Sequence, residues 1–128
     1  MPSTISKLKT KLDKLFSEYI RRRYANHDGT VSCFTCGIVK HWKEQQAGHF
    51  QSRRHHSTRW DEKNVQVQCK SCNIFKSGEQ YKFGNYLDNT YGQGTAQDLE
   101  QRSKKIVKLT RVDYEEAIEL YKRKLEEL

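Results

Sequence analysis

The chain has 128 residues and a mass of 15.2 kDa, enough for one small domain with helical extensions and too little for two independent cores. Only 34% of residues are hydrophobic against 31% charged; no stretch approaches the roughly 18 apolar residues of a membrane span, and the opening MPSTISKLKTKLDKLF lacks the apolar run of a secretory leader. The formal charge of +8 lies wholly in residues 1–60, where twelve Lys and Arg face four acids, so a polyanion is favoured as partner over a basic face kept for solubility.

Residues 1–30 read as a basic amphipathic helix packed on the core. Ile5, Leu8, Leu12, Leu15 and Tyr19 recur at intervals of three and four, with Phe16 and Ile20 widening the stripe. Ser3 or Thr4 is placed to cap it, and Pro2 precedes it. Arg21, Arg22 and Arg23 fall in the last turn, where cations suit the helix dipole, and Asn26-His27-Asp28-Gly29 is a turn. Helical periodicity then lapses. Val31–Phe34, Ile38–Trp42, Gly48–Gln51 and Val65–Gln68 are β-prone pieces joined by polar loops.

Cys69–Phe75 reads as a short helix broken near Ser77-Gly78. Ser77 and Gln80 have the spacing of a capping box opening a helix over 79–91. Gly92 and Gly94 mark a linker. Residues 93–128 then form a helical extension, with starts at Thr95/Asp98 (to about Val107) and Thr110/Asp113. Tyr114, Ala117, Ile118, Tyr121, Leu125 and Leu128 form a stripe that either packs within the chain or pairs with a second copy as a homodimer.

Chemistry concentrates in residues 31–92. Cys33-Phe34-Thr35-Cys36 and Cys69-Lys70-Ser71-Cys72 are two CxxC pairs separated by 32 residues. Each tight turn aims two sulfurs at one point, and two turns complete a tetrahedron suited to structural Zn²⁺. A redox CxxC leaves the second pair unexplained, and two disulfides need an oxidising compartment for which the sequence gives no reason. A four-sulfur site has no open position, so any chemistry must come from residues beside it.

Those neighbours include Ala47-Gly48-His49-Phe50, Asn64-Val65 and Asn73 directly after the last cysteine. A His, an Asn and a polar group following CxxC occur in that order in HNH, or ββα-metal, nucleases. The strings CFTCG, AGHFQSR, TRWDEKNVQVQC and KSCNIFKSG, with Tyr19-Ile20-Arg21 upstream, resemble more closely the phage NinG (Rap) family of recombination endonucleases. The resemblance implies an α+β fold with a zinc-stapled, HNH-like core. It implies a cytoplasmic enzyme of an infected or prophage-carrying bacterium, acting on branched DNA (D-loops, Holliday junctions) alongside other recombination proteins.

An imidazole with a pKa near neutrality suits abstraction of a proton from water, and the resemblance points to His49 as that base. It gives Asn64 the bracing of the loop that orients the base. Asn73 would be an oxygen ligand of a catalytic Mg²⁺ or Mn²⁺. Many HNH enzymes carry a metal-binding residue just before the base, where this chain has Gly48. Asp61 is the first substitute, followed by Glu62, Glu44, His55 and His56. Arg53, Arg54 and Arg59, with Lys70, Lys76 and Arg21–Arg23, are the expected DNA contacts. Trp60 either fills the core or stacks on a base. The alternative is a zinc-stabilised module that binds nucleic acid without cutting it.

Overall fold

The computed structural model describes residues 3–128, and Met1 and Pro2 of the expected helix start lie outside it. The first helix, α1 (Ile5–Arg22), begins where Thr4 accepts a hydrogen bond from the Lys7 N–H at 3.1 Å, relieving one unpaired donor of the first turn. Of its apolar residues Leu8, Leu12, Phe16 and Ile20 are buried, while Leu15 and Tyr19 pack at the edge of the core and Ile5 is exposed. The buried line thus runs on through Phe16 and Ile20, the residues expected only to widen the stripe. One flank packs on a two-stranded antiparallel ribbon, β3 (Gln46–His49) with β4 (Val65–Gln68), and the other on the last helix, α5 (Arg111–Glu126).

The four strands fall close to the β-prone pieces. β1 (Thr30–Ser32) pairs with β2 (Val39–His41), setting Val31 opposite Lys40. In the second ribbon Gln46 faces Gln68 and His49 faces Val65. Both ribbons are antiparallel, and the chain mixes helices with two small sheets. Between β3 and β4 lies one turn of helix, α2 (His56–Arg59), which the polar character of that loop did not announce.

After β4, Ser71–Phe75 form a π-type turn, followed by α3 (Gln80–Tyr91) and α4 (Thr95–Ser103). Phe83 and Leu87 of α3 and Leu99 of α4 make a second core, against which Phe34 and Phe50 pack. The expected Ser77/Gln80 capping box does not form. Ser77 and Glu79 both take positive φ (52° and 50°), and Glu79 precedes the helix without a side-chain cap. The helix from Thr95 also stops at Ser103 rather than near Val107. Its end turns back, with the Ser103 hydroxyl donating to the Glu100 carbonyl at 2.6 Å.

The box at Thr110/Asp113 does form, in both directions. α5 lies beside α1 in the same direction: Arg111 bonds the Ser3 carbonyl, Tyr121 meets Phe16 edge-on at 5.0 Å between ring centroids, and Lys124 lies over Tyr19. Tyr114, Ile118 and Tyr121 are buried here, so most of the stripe that a homodimer would use is spent within the chain.

Candidate metal centre and the histidine beside it

The four sulfurs of Cys33, Cys36, Cys69 and Cys72 lie within 4.8 Å of one another, and all four thiols are free of disulfides. Four ligands at the zinc–thiolate distance form a tetrahedron with edges of about 3.8 Å. The Cys36 and Cys69 sulfurs are 3.7 Å apart. The cluster is therefore positioned to bind a metal ion, consistent with structural zinc.

Hydrogen-bonding groups stand beside two of the sulfurs. The Cys72 N–H points at the Cys69 sulfur at 3.5 Å, and the Thr35 hydroxyl lies 3.5 Å from that of Cys33. Gly37, at φ +80°, closes the first turn with its N–H on the Cys33 carbonyl. Thr35 in turn accepts from Gln68 Nε2, which also donates to the Gly78 carbonyl at 2.8 Å. Gln68 thus ties the first knuckle and the turn that follows the second to β4, a role that its neighbours in sequence do not disclose.

Gln68 also accounts for Gly48. A Cβ at position 48 would lie 1.9 Å from Gln68 Oε1, so the carboxamide fills the place a side chain would take. That oxygen is buried with no hydrogen-bond partner among the described residues. The residue before His49 is glycine because the facing strand needs its space.

His49 is mostly buried. Its Nε2 lies 3.0 Å from the Arg59 carbonyl. A carbonyl only accepts, so Nε2 carries the hydrogen and Nδ1 keeps its lone pair. Nδ1 has no hydrogen bond among the described residues. Burial, with the nearby Arg53 and Arg59 charges and against the Arg59 carbonyl and Asp13, pushes the imidazole pKa down to about 4. The ring borders an open depression of about 360 Å³ lined also by Thr10, Asp13, Lys14, Ser17, Ala47 and Arg53.

Asp13, absent from the sequence-based site, organises this depression. Its carboxylate accepts from Arg59, from Arg53 at 3.0 Å and from Trp60 Nε1 at 2.9 Å. Burial opposes its charge, but these donors prevail and hold its pKa below the ordinary carboxylate value. The one sequence signal was an acid standing among lysines beside the apolar stripe.

Asn64 is fully buried. Its oxygen accepts the Gln51 N–H at 2.7 Å, and its amide donates to the Gln51 and Thr58 carbonyls, closing the loop that carries Arg59. Asn73 is half-buried and donates to Gln46 Oε1 at 2.7 Å. Alternation along β3 turns Gln46 and Gly48 to one face and Ala47 and His49 to the other, toward α1. His49 and Asn73 thus lie off different faces of one strand.

Asp61 does not suit the ligand role expected of it. One oxygen accepts the Lys63 and Asn64 N–H groups, and the other pairs with Arg102 at 2.8 Å. Glu62 is similarly held by Tyr121 and Lys124. Among the described residues, the only group of three or more metal-ligating side chains is the cysteine cluster.

The expected DNA contacts divide into two sets. Arg54, Lys70 and Lys76 are exposed, and Arg53 keeps an exposed side chain although it pairs with Asp13. The others are engaged within the protein. Arg59 is held by Asp13; Arg23 is buried and donates to the Val65 carbonyl and Gln66; Arg22 pairs with Glu18; Arg21 donates to Ser17 and the Trp42 carbonyl. Trp60 packs edge-on against Tyr114 at 5.7 Å. Among the described residues, no helix is long and apolar enough to cross a membrane.

The family model described as "Bacteriophage Lambda NinG protein" matches residues 3–128. No curated protein and no solved structure matches the chain.

Proposed function

The chain belongs to the NinG family, and from that premise we propose that it is a metal-dependent DNA endonuclease with an HNH-like core, His49 as its general base and branched recombination intermediates as its substrates. One observation carries the reading: an imidazole fixed in one tautomer, with a free Nδ1 beside an open depression that also holds Lys14 and Arg53. Structural zinc on the four cysteines would hold the two turns that flank β3 and β4.

In the proposed step, Nδ1 takes a proton from water as the water oxygen bonds to phosphorus. The bond to the 3′ oxygen breaks, and that oxygen takes a proton from a solvent water. The products are a 5′ phosphate and a 3′ hydroxyl. A pKa near 4 keeps His49 unprotonated at neutral pH but makes it a weak base. The negative charge of a bound phosphate raises that value toward neutrality.

A catalytic Mg²⁺ or Mn²⁺ would supply charge stabilisation for the phosphorane and the departing oxygen. Asn73 fits it through the carbonyl oxygen left free when its amide donates to Gln46, whereas Asp61 and Glu62 are taken up by Arg102 and by Tyr121 and Lys124. Water and DNA phosphate would complete the shell.

A second reading, a zinc-stabilised binder that does not cut, is favoured by the engagement of Asp61 and by the separation of His49 from Asn73 across β3. Incubation with linear, single-stranded, D-loop and four-way-junction DNA in Mg²⁺ or Mn²⁺ decides between them. On the enzymatic reading, His49→Ala lowers cleavage about 10²- to 10⁴-fold while zinc content and DNA affinity persist. Absence of cleavage by the unaltered chain leaves the binder, and an equal rate in the variant removes His49 as the base.

A further inference from the structure

We propose that the turn between the cysteine cluster and α3, with the first turn of α3, is a nucleobase-binding knob whose ligand is unpaired DNA, with Phe75 and Tyr81 stacking on splayed bases and Lys70 and Lys76 holding the adjoining phosphates. The inference rests on the nucleic-acid reading above and specifies which form of DNA this surface takes.

Its first support is exposure. Phe75 is 75% exposed and Tyr81 84%, with Ile74 beside them at 51%. Five residues separate the two rings in the chain, while Phe83, two residues past Tyr81, is fully buried. The fold therefore has an apolar interior within reach of this segment and leaves these rings out of it.

The second support is rigidity. Ser77, Gly78 and Glu79 take φ values of 52°, 87° and 50°, a run of left-handed residues that Ser and Glu adopt at a cost. The turn is nevertheless tied down. The Gly78 N–H bonds the Cys72 carbonyl at 2.7 Å, the Gly78 carbonyl accepts from Gln68 at 2.8 Å, and the Lys76 N–H bonds the Ser71 carbonyl at 2.9 Å. Aromatic rings projected from a braced turn lose little freedom when a partner arrives.

The third is charge. Lys70 and Lys76 are exposed and make no ion pair among the described residues, while the one acid of the turn, Glu79, is paired with Lys82 at 3.4 Å. Unneutralised lysines interleaved with exposed aromatics suit a polyanion that also offers π faces. They do not suit a protein interface core, where lysine is depleted. Duplex DNA hides its base faces in the stack, whereas single-stranded arms and junction centres expose them.

The test measures binding of the zinc-loaded full chain to a labelled thymidine oligonucleotide and to a duplex, by anisotropy without Mg²⁺, so that cleavage does not enter. Phe75→Ala and Tyr81→Ala are each expected to weaken single-strand binding about 5- to 150-fold, with far smaller effects on the duplex. Phe75→Trp retains the affinity and Phe75→Leu loses it, which separates stacking from mere apolarity. Lys76→Gln weakens both DNAs and reduces the salt slope by about one. Unchanged single-strand affinity in Phe75→Ala, equal losses on both DNAs, or a dimer of the unaltered chain that Phe75→Ala dissolves would each overturn the knob while leaving the nuclease reading intact. A chain that binds neither DNA overturns both.

Discussion

His49 joins a buried ring, a single tautomer and a low pKa, and each has a measurable consequence. Its folded pKa of about 4 lies below the ordinary 6.5, so the unfolded chain binds a proton in that interval and the folded one does not. Stability from this residue is complete above pH 6.5 and is lost as pH falls toward 4, on the order of 3 kcal/mol in all. Thermal melts at about pH 7 and about pH 5 should show a larger fall for the unaltered chain than for His49→Asn. Gly48 answers a different constraint. Gly48→Ala drives a methyl into the Gln68 carboxamide and should cost about 1–3 kcal/mol in urea melts. Combining it with Gln68→Ala should cost less than the two single changes added together. The cysteines were legible in the sequence because CxxC turns are local. The ties of Arg23 to Gln66 and of Asp61 to Arg102 were not, because the partners lie 43 and 41 residues away.

Among the elements, α1 acts as a clasp through Asp13, which joins it to the loop bearing Arg53, Arg59 and Trp60. That loop presents the carbonyl that holds His49, so Asp13 reaches the imidazole through Arg59. Asp13→Asn should lose about 2–3 kcal/mol in urea melts at neutral pH. Because the carboxyl titrates below its usual value of 3.8, its contribution is present above that pH and lost as pH falls through the lower folded value. The melts of Asp13→Asn and the unaltered chain should accordingly converge in acid. The α1 stripe, the four strand segments and the Thr110 box were readable, since each depends on side-chain period or on residues three apart. The Ser77 box was not formed, because the backbone there is committed to Cys72 and Gln68. Likewise α4 ends early where Ser103 and Arg102 bond groups outside any helical repeat, Gln51 and Asp61.

The molecule as a whole has two apolar cores with the cysteine cluster as a third centre. The apolar cores rest on α1 with α5 and on α3 with α4, whereas the two CxxC turns are joined to β4 by a few hydrogen bonds, from Phe34 to Val67 and from Gln68 to Thr35 and Gly78. Chelation, or Cys36→Ser, should lower the thermal midpoint while retaining much of the far-UV helical signal, and metal analysis of the unaltered chain should find about one zinc per chain. The side-by-side course of α1 and α5 has a kinetic consequence. Phe16 and Tyr121 are 105 residues apart in the chain, so their meeting closes a long loop. During synthesis α1 emerges well before α5, leaving Leu12 and Phe16 without that cover while the segment between them is assembled. Newly made protein should therefore depend on chaperones that recognise greasy helices, and shortening the chain before Arg111 should send it into aggregates rather than leave a smaller working unit.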